Sequence, residues 1–138
     1  MAEGILRKKI LEHHLSFDVD SAGTADYHVG EPPDSRAIAT AKKFGVEISN
    51  LRGRQFTAKD FDRFDRIFAM DSSNYKNIIR LARNENDKKK VSYFWSDNDK
   101  GFDVPDPWFG DIEGFTESFK LLERVSEVVL NELKKEIR

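Results

Sequence analysis

The chain contains no cysteine. That excludes disulfides, thiolate metal sites and cysteine nucleophilic catalysis by these 138 residues. Proline is scarce at four and glycine modest at eight, against eleven phenylalanines. That balance points to an ordered, packed chain. Neither charge sign is in excess: 23 Lys and Arg face 25 Asp and Glu, for a formal net charge of −2. Broad nucleic-acid binding driven by phosphate neutralisation is thereby excluded, although a local anion pocket is not. Long apolar runs are also missing. The stretch Ile67-Phe68-Ala69-Met70 falls far short of the ~20 residues a spanning helix needs. No apolar segment follows the early charges of Met1-Ala2-Glu3-Gly4-Ile5-Leu6-Arg7-Lys8-Lys9, so no signal peptide is read and a cytoplasmic location is the default expectation.

What is present suits a single domain over 1–138, large enough to bury roughly two-thirds of its unfolded surface. Charged residues make up 35% of it, well mixed in sign, which reads as solvated helix faces. Residues 2–15 have a helical stripe of Ile5, Leu6, Ile10 and Leu11. Phe17 to Ala22 alternates and predicts a short strand. Asp34 is placed to cap a helix over about 35–44, with Gly45 in the position that closes it. Thr57 with Asp60 three residues on predicts the start of one helical turn. Arg66 to Met70 is the best strand, and Asp71 opens a helix to about Arg83. A charged loop over 83–90, a strand over Val91–Trp95 and a long loop over 96–111 follow. The last helix is expected from about Ile112 to the end, with Phe115, Phe119, Leu122, Val125, Val129 and Leu133 as its stripe. Alternating helices and strands imply an α/β fold with a parallel sheet covered on both sides.

The sharpest local feature is Asp103-Val104-Pro105-Asp106-Pro107-Trp108-Phe109-Gly110. Two prolines fix the backbone on either side of Asp106, and two large apolar side chains follow. A pinned carboxyl beside aromatic surface suits a general acid, since desolvation raises its pKa. An Asp-Pro turn packed by aromatics is the alternative. Asp71, just after the best strand, stands where ligands bind in open α/β sheets. It also reads as the N-cap of the next helix, and the two roles are compatible. Asp18 and Asp20 read as a solvent-facing alternation. Asp97-Asn98-Asp99 with Gly101 imitates part of a calcium loop but lacks the closing acid, so no metal site is expected. His13, His14 and His28 have no ligand spacing, and Lys88-Lys89-Lys90 reads as solvated. Arg52-Gly53-Arg54-Gln55 could hold a phosphate or form structural ion pairs.

Taken together, several segments resemble the low-molecular-weight protein tyrosine phosphatases along the whole chain. Ala2-Glu3-Gly4-Ile5-Leu6 is similar to the helix after that family's phosphate loop, and Asp20-Ser21-Ala22-Gly23-Thr24 to its second strand. Tyr27 to Asp34 resembles the loop lining its cleft, and Arg52-Gly53-Arg54-Gln55 its Arg-Ala-Arg-Gln. Phe68-Ala69-Met70-Asp71 and Asp106-Pro107-Trp108-Phe109 resemble its later signatures. The resemblance implies a three-layer α/β/α fold with a small parallel sheet, of the phosphotyrosine phosphatase I type. It implies Asp106 as the acid that protonates the tyrosine oxygen and later the base toward water. Tyr27, Trp108 and Phe109 would wall the phosphotyrosine cleft, and Asp71 would help hold the phosphate loop. A phosphotyrosine protein or small aryl phosphate is the implied partner, with no metal or cofactor and with neither nucleic acid nor membrane.

The departures are as informative. The family's first strand and its Cys-x-x-x-x-x-Arg loop, followed by Ser-Pro, should precede Ala2, where this chain has only Met1. N-terminal truncation, or a start assigned to an internal Met, is the expected explanation. The chain as written is therefore expected to be inactive. Leu51 stands where many relatives have His, and Trp108-Phe109 where many have two tyrosines. The absent strand would be central, between 17–22 and 66–70. An open slot there would leave backbone groups unpaired, at ~1–3 kcal/mol each when buried. It would also expose the apolar faces of helices 2–15 and 112–137. A marginal, aggregation-prone or partnered chain is expected, with self-association through the open sheet. Two other readings are a non-catalytic phosphatase-like binding protein and an arsenate-reductase-like relative, the latter disfavoured because those enzymes need thiols.

Overall fold

A computed structural model of the chain describes residues 1–24, 29–97, 100–104 and 112–136. The fold is α/β with a small parallel sheet. Contacts group the described chain into two units, one built from parts of 1–21, 30–53 and 112–136 and the other from parts of 22–29 and 54–104.

The first unit is helical. Helix α1 (Ala2–Glu12), α2 (Ser35–Lys43) and the long C-terminal helix (Ile112–Glu136) pack together in it. Phe115, Phe119, Leu122, Val125 and Val129 of the long helix are all buried, as the three-and-four spacing requires, and Leu130 joins them. Leu133 is only half-buried. Phe119 stacks on Phe44 with ring centroids 4.6 Å apart. The expected exposure of the apolar faces of α1 and the C-terminal helix is not observed. Ile5 and Ile10 are buried with that stripe, while Leu11 points to solvent. On another side of α1, Gly4 lets the helix lie against Val46 and Ile48, where a Cβ would collide with the Ile48 side chain.

Both ends of α2 follow the sequence signals. The Asp34 carboxylate accepts the Arg36 N–H at 2.8 Å. At the other end Gly45 adopts φ +80°, and the N–H groups of Gly45 and Val46 return to the carbonyls of Lys42 and Ala41. The end of α1 departs from the expected Leu15. The helix stops at Glu12, and His14 takes the left-handed conformation, φ 54°, while Leu15 N–H returns to the Ile10 carbonyl. This is the same closing motif with His where Gly is usual, so no sequence signal marked it.

The predicted strand at Phe17–Ala22 is not formed. Its Val19 carbonyl accepts from the Arg7 guanidinium at 2.7 Å, and Ser21 donates its hydroxyl to buried Glu3 at 2.6 Å. Side chains of α1 thus take the place of a ladder. Ser126, fully buried in the C-terminal helix, has a hydroxyl with no hydrogen-bond partner among the described residues. Ser126→Ala removes that uncompensated group and is expected to raise stability by about 1 kcal/mol, read as a midpoint shift in denaturant unfolding.

The second unit holds the sheet. Strand β1 (Ile67–Ala69) and β2 (Val91–Tyr93) are parallel, pairing Ile67 with Val91, Phe68 with Ser92 and Ala69 with Tyr93. Between and around them run α3 (Asp60–Arg63), α4 (Ser72–Leu81) and α5 (Glu85–Lys89). One face of the pair buries Ile67, Ala69 and Val91 with Phe56, Phe61 and Ile78. Phe68 is half-buried on the other face, edge-on to Phe94. Among the described residues β1 has a strand neighbour only on the β2 side.

Two expected loops are structured. Residues 83–90 contain α5, because Asn84 caps the Asp87 N–H at 2.9 Å and buried Asp87 accepts the Arg83 guanidinium at 2.9 Å. Arg83 also grips Asp62 at 2.7 Å and holds both carboxyls below the usual range. Lys90 is not simply solvated, as its ammonium donates to the Phe61 carbonyl. The long loop begins with a hairpin of β3 (Trp95–Asp97) and β4 (Lys100–Phe102), with Gly101 opposite Ser96. Only glycine fits at 101, because a Cβ would lie 2.1 Å from the Tyr93 ring. That ring in turn stacks on Tyr75 at 4.8 Å. The C-terminal helix is α6 in chain order.

Candidate active site at the carboxyl end of the parallel strands

The chain leaves β1 through Met70 and enters α4 at once. Asp71 sits in extended backbone and its carboxylate accepts the Asn74 N–H at 2.7 Å. The capping role read from the sequence is therefore present. A second carboxylate arrives at the same helix end from 31 residues away. Asp103 accepts the Ser72 N–H at 2.8 Å. One residue later, Val104 N–H donates to the Met70 carbonyl at 2.7 Å.

These bonds have a common physical logic. The first turn of a helix leaves N–H groups without intrahelical partners and carries partial positive charge. Asp71 and Asp103 each neutralise one such donor. The return bond from Val104 then fastens the segment after β4 to the end of β1. The sequence alone does not mark Asp103 as a site residue, because the backbone N–H it binds leaves no trace in the side-chain pattern.

Of the predicted site residues, the structure places Asp71. Asp106, Tyr27, Trp108 and Phe109 lie outside the described residues, as does His28.

The arginines of Arg52-Gly53-Arg54-Gln55 take structural roles. Arg52 donates to the Ser49 and Leu51 carbonyls at 2.8 and 2.7 Å. Arg54 pairs with buried Asp60 at 3.0 Å, and Asp60 also accepts the Thr57 N–H at 2.9 Å, completing the helix-start signal read at Thr57. Backbone bonds from Gly30 N–H to the Gly53 carbonyl and from Gly53 N–H to the Glu31 carbonyl, both 2.8 Å, couple the Gly30-Glu31 loop to residue 53. His13 stands 4.0 Å from Glu127, whose carboxyl is held below its usual range by a bond from Lys9. Among the described residues no three acids or histidines gather as a metal site. No described helix is long and apolar enough to cross a membrane.

Comparison with known proteins gives a consistent result. A family model described as low molecular weight phosphotyrosine protein phosphatase matches residues 1–138. The low molecular weight phosphotyrosine protein phosphatase of Saccharomyces cerevisiae is 40% identical over 137 residues, covering 94% of this chain and 84% of that protein. The Homo sapiens protein of the same name is 34% identical, covering 83% of this chain and 75% of its own length. Among solved structures, a protein tyrosine phosphatase from Entamoeba histolytica with Hepes in the active site superposes with a TM-score of 0.88 at 33% identity. The match covers 98% of this chain and 88% of that one.

Proposed function

The chain belongs to the low molecular weight phosphotyrosine protein phosphatase family, and from that premise we propose that it is the body of a phosphotyrosine hydrolase whose nucleophile is not among its 138 residues. In the proposed reaction a thiolate attacks phosphorus and the bond from phosphorus to the tyrosine oxygen breaks. Asp106 gives its proton to that oxygen as it leaves. Water then attacks the cysteinyl phosphate, Asp106 accepts the water's proton, and the phosphorus–sulfur bond breaks to release phosphate and regenerate the thiolate. Tyr27, Trp108 and Phe109 flank the aryl ring. Asp71 supports the phosphate loop while it caps α4. No step needs a metal or cofactor.

The observation that carries this reading is the fastening of residues 103–104 to the junction of β1 and α4. It fixes residues 103–104 at the carboxyl end of a parallel strand, where ligands of open α/β sheets bind, and Asp106 follows two residues later in the sequence. The lack, among the described residues, of a strand on the other side of β1 and the lack of any cysteine support the finer claim that a strand and its Cys-x-x-x-x-x-Arg loop complete the site. The same edge would serve self-association in the absence of that strand.

The test compares two proteins in hydrolysis of a phosphotyrosine peptide. The 138-residue chain should give no turnover. The chain extended at its N-terminus by a strand ending in Cys-x-x-x-x-x-Arg-Ser-Pro should hydrolyse the peptide, and lose that activity when the added Cys is replaced by Ser. A folded extended chain without activity would contradict the proposal.

A further inference from the structure

A groove of about 460 Å³ lies along α4 in the second unit, and the proposed reaction makes no use of it. Thr24, Thr57, Asn77 and Arg80 form its polar side, and Phe56 and Leu81 contribute apolar surface. Asn77 and Arg80 are three residues apart and share a helix face. Their side chains are set in order: Arg80 donates to the Asn77 amide oxygen at 3.2 Å, and the Asn77 amide nitrogen donates to the Thr24 hydroxyl at 3.4 Å. A guanidinium has five N–H donors, so most of Arg80's capacity is left for a ligand.

The charge balance of the groove points to an anion. Among the described residues its lining includes Arg80 and no carboxylate. Asp60, two residues beyond Ala58 of the lining, is already paired with Arg54. Leu81, 41% exposed at the side of Arg80, adds an apolar contact beside the cation.

We propose that this groove binds an acidic peptide segment, a carboxylate resting on Arg80 among the Thr24, Thr57 and Asn77 polar groups, and an adjacent aliphatic side chain on Phe56 and Leu81. Naming that peptide as part of a substrate rests on the phosphatase reading.

Binding is tested without any chemistry, using the 138-residue chain and a short unphosphorylated peptide containing Asp-Leu-Glu, with its Lys-Leu-Lys counterpart as the control. Amide NMR shifts should saturate at Thr24, Thr57 and Asn77 with the acidic peptide only. Arg80→Glu should weaken binding about tenfold or more and Arg80→Gln by less, while Lys89→Glu, an equal charge change on an exposed residue outside the groove, should alter it less than about twofold. Equal weakening by Arg80→Glu and Lys89→Glu, saturating shifts elsewhere, or no binding by the acidic peptide would overturn the proposal. The peptide carries no phosphate, so this result and the turnover result are independent. Either reading can fail alone.

Discussion

In a version of the chain that carries the nucleophile loop, Asp106→Asn is expected to lower kcat toward a phosphotyrosine peptide about 10²–10⁴-fold. The tyrosine oxygen leaves as a base whose conjugate acid has a pKa of about 10. Without a proton it must depart as an unstabilised phenolate. Asn keeps the size and hydrogen-bonding shape of Asp but has no acidic proton to give. It also cannot take the proton of the water that attacks the phospho-enzyme. The effect should therefore fall on kcat and leave KM nearly unchanged. Nitrophenyl phosphate, with a far better leaving group, should lose much less in the first step. An Asp106→Asn enzyme that handles both substrates as well as the parent would remove Asp106 from the reaction.

Phe119→Ala is expected to cost about 3–5 kcal/mol of stability. Phe119 is fully buried in the middle of the α6 stripe and stacked on Phe44. Truncation removes the transfer free energy of the ring and leaves a cavity that α1, α2 and α6 cannot fill by small shifts. Domains of this size have only about 5–15 kcal/mol in total, so the variant should unfold at much lower denaturant concentration. Leu11→Ala, at a site 76% exposed, provides the comparison and should stay within about 0.5 kcal/mol of the parent. Similar midpoints for the two variants would contradict the assignment of the core.

The elements that could be read from sequence are those whose cause is local. Helix α2 has its Asp34 cap and Gly45 stop in the sequence itself, and α4 has Asp71. The spacing of Phe115, Phe119, Leu122, Val125 and Val129 is enough for α6, and the Ile67–Ala69 run for β1. The elements that were missed depend on partners distant in the chain or on motifs with unusual residues. Phe17–Ala22 alternates as a strand does, yet strand structure needs a neighbour, and α1 side chains supply its bonds instead. Helix α5 is an exception: its Asn84 cap and its Arg83–Asp87 pair are local, but they lie in a charged stretch with no apolar stripe to mark a helix. The β3–β4 hairpin depends on Gly101 lying against the Tyr93 ring.

The site divides in the same way. Asp71 was legible because its target, Asn74 N–H, is three residues away. Asp103 was not, because Ser72 N–H is 31 residues away and a backbone donor has no letter in the sequence. Aspartates that look alike in a sequence thus differ by what folding brings to them. Asp60, a helix-start residue by its sequence, also holds Arg54, one of the two arginines in the Arg52-Gly53-Arg54-Gln55 segment.

The central claim is that this chain supplies the acid and scaffold of a phosphatase and lacks the attacking sulfur. Its most direct test is the release of nitrophenolate from nitrophenyl phosphate by the purified 138-residue chain. The account predicts a rate equal to that of buffer, for the parent and for Asp106→Asn alike. Enzyme-dependent release that disappears in Asp106→Asn would contradict it, since some other group in the chain would then be acting as the nucleophile.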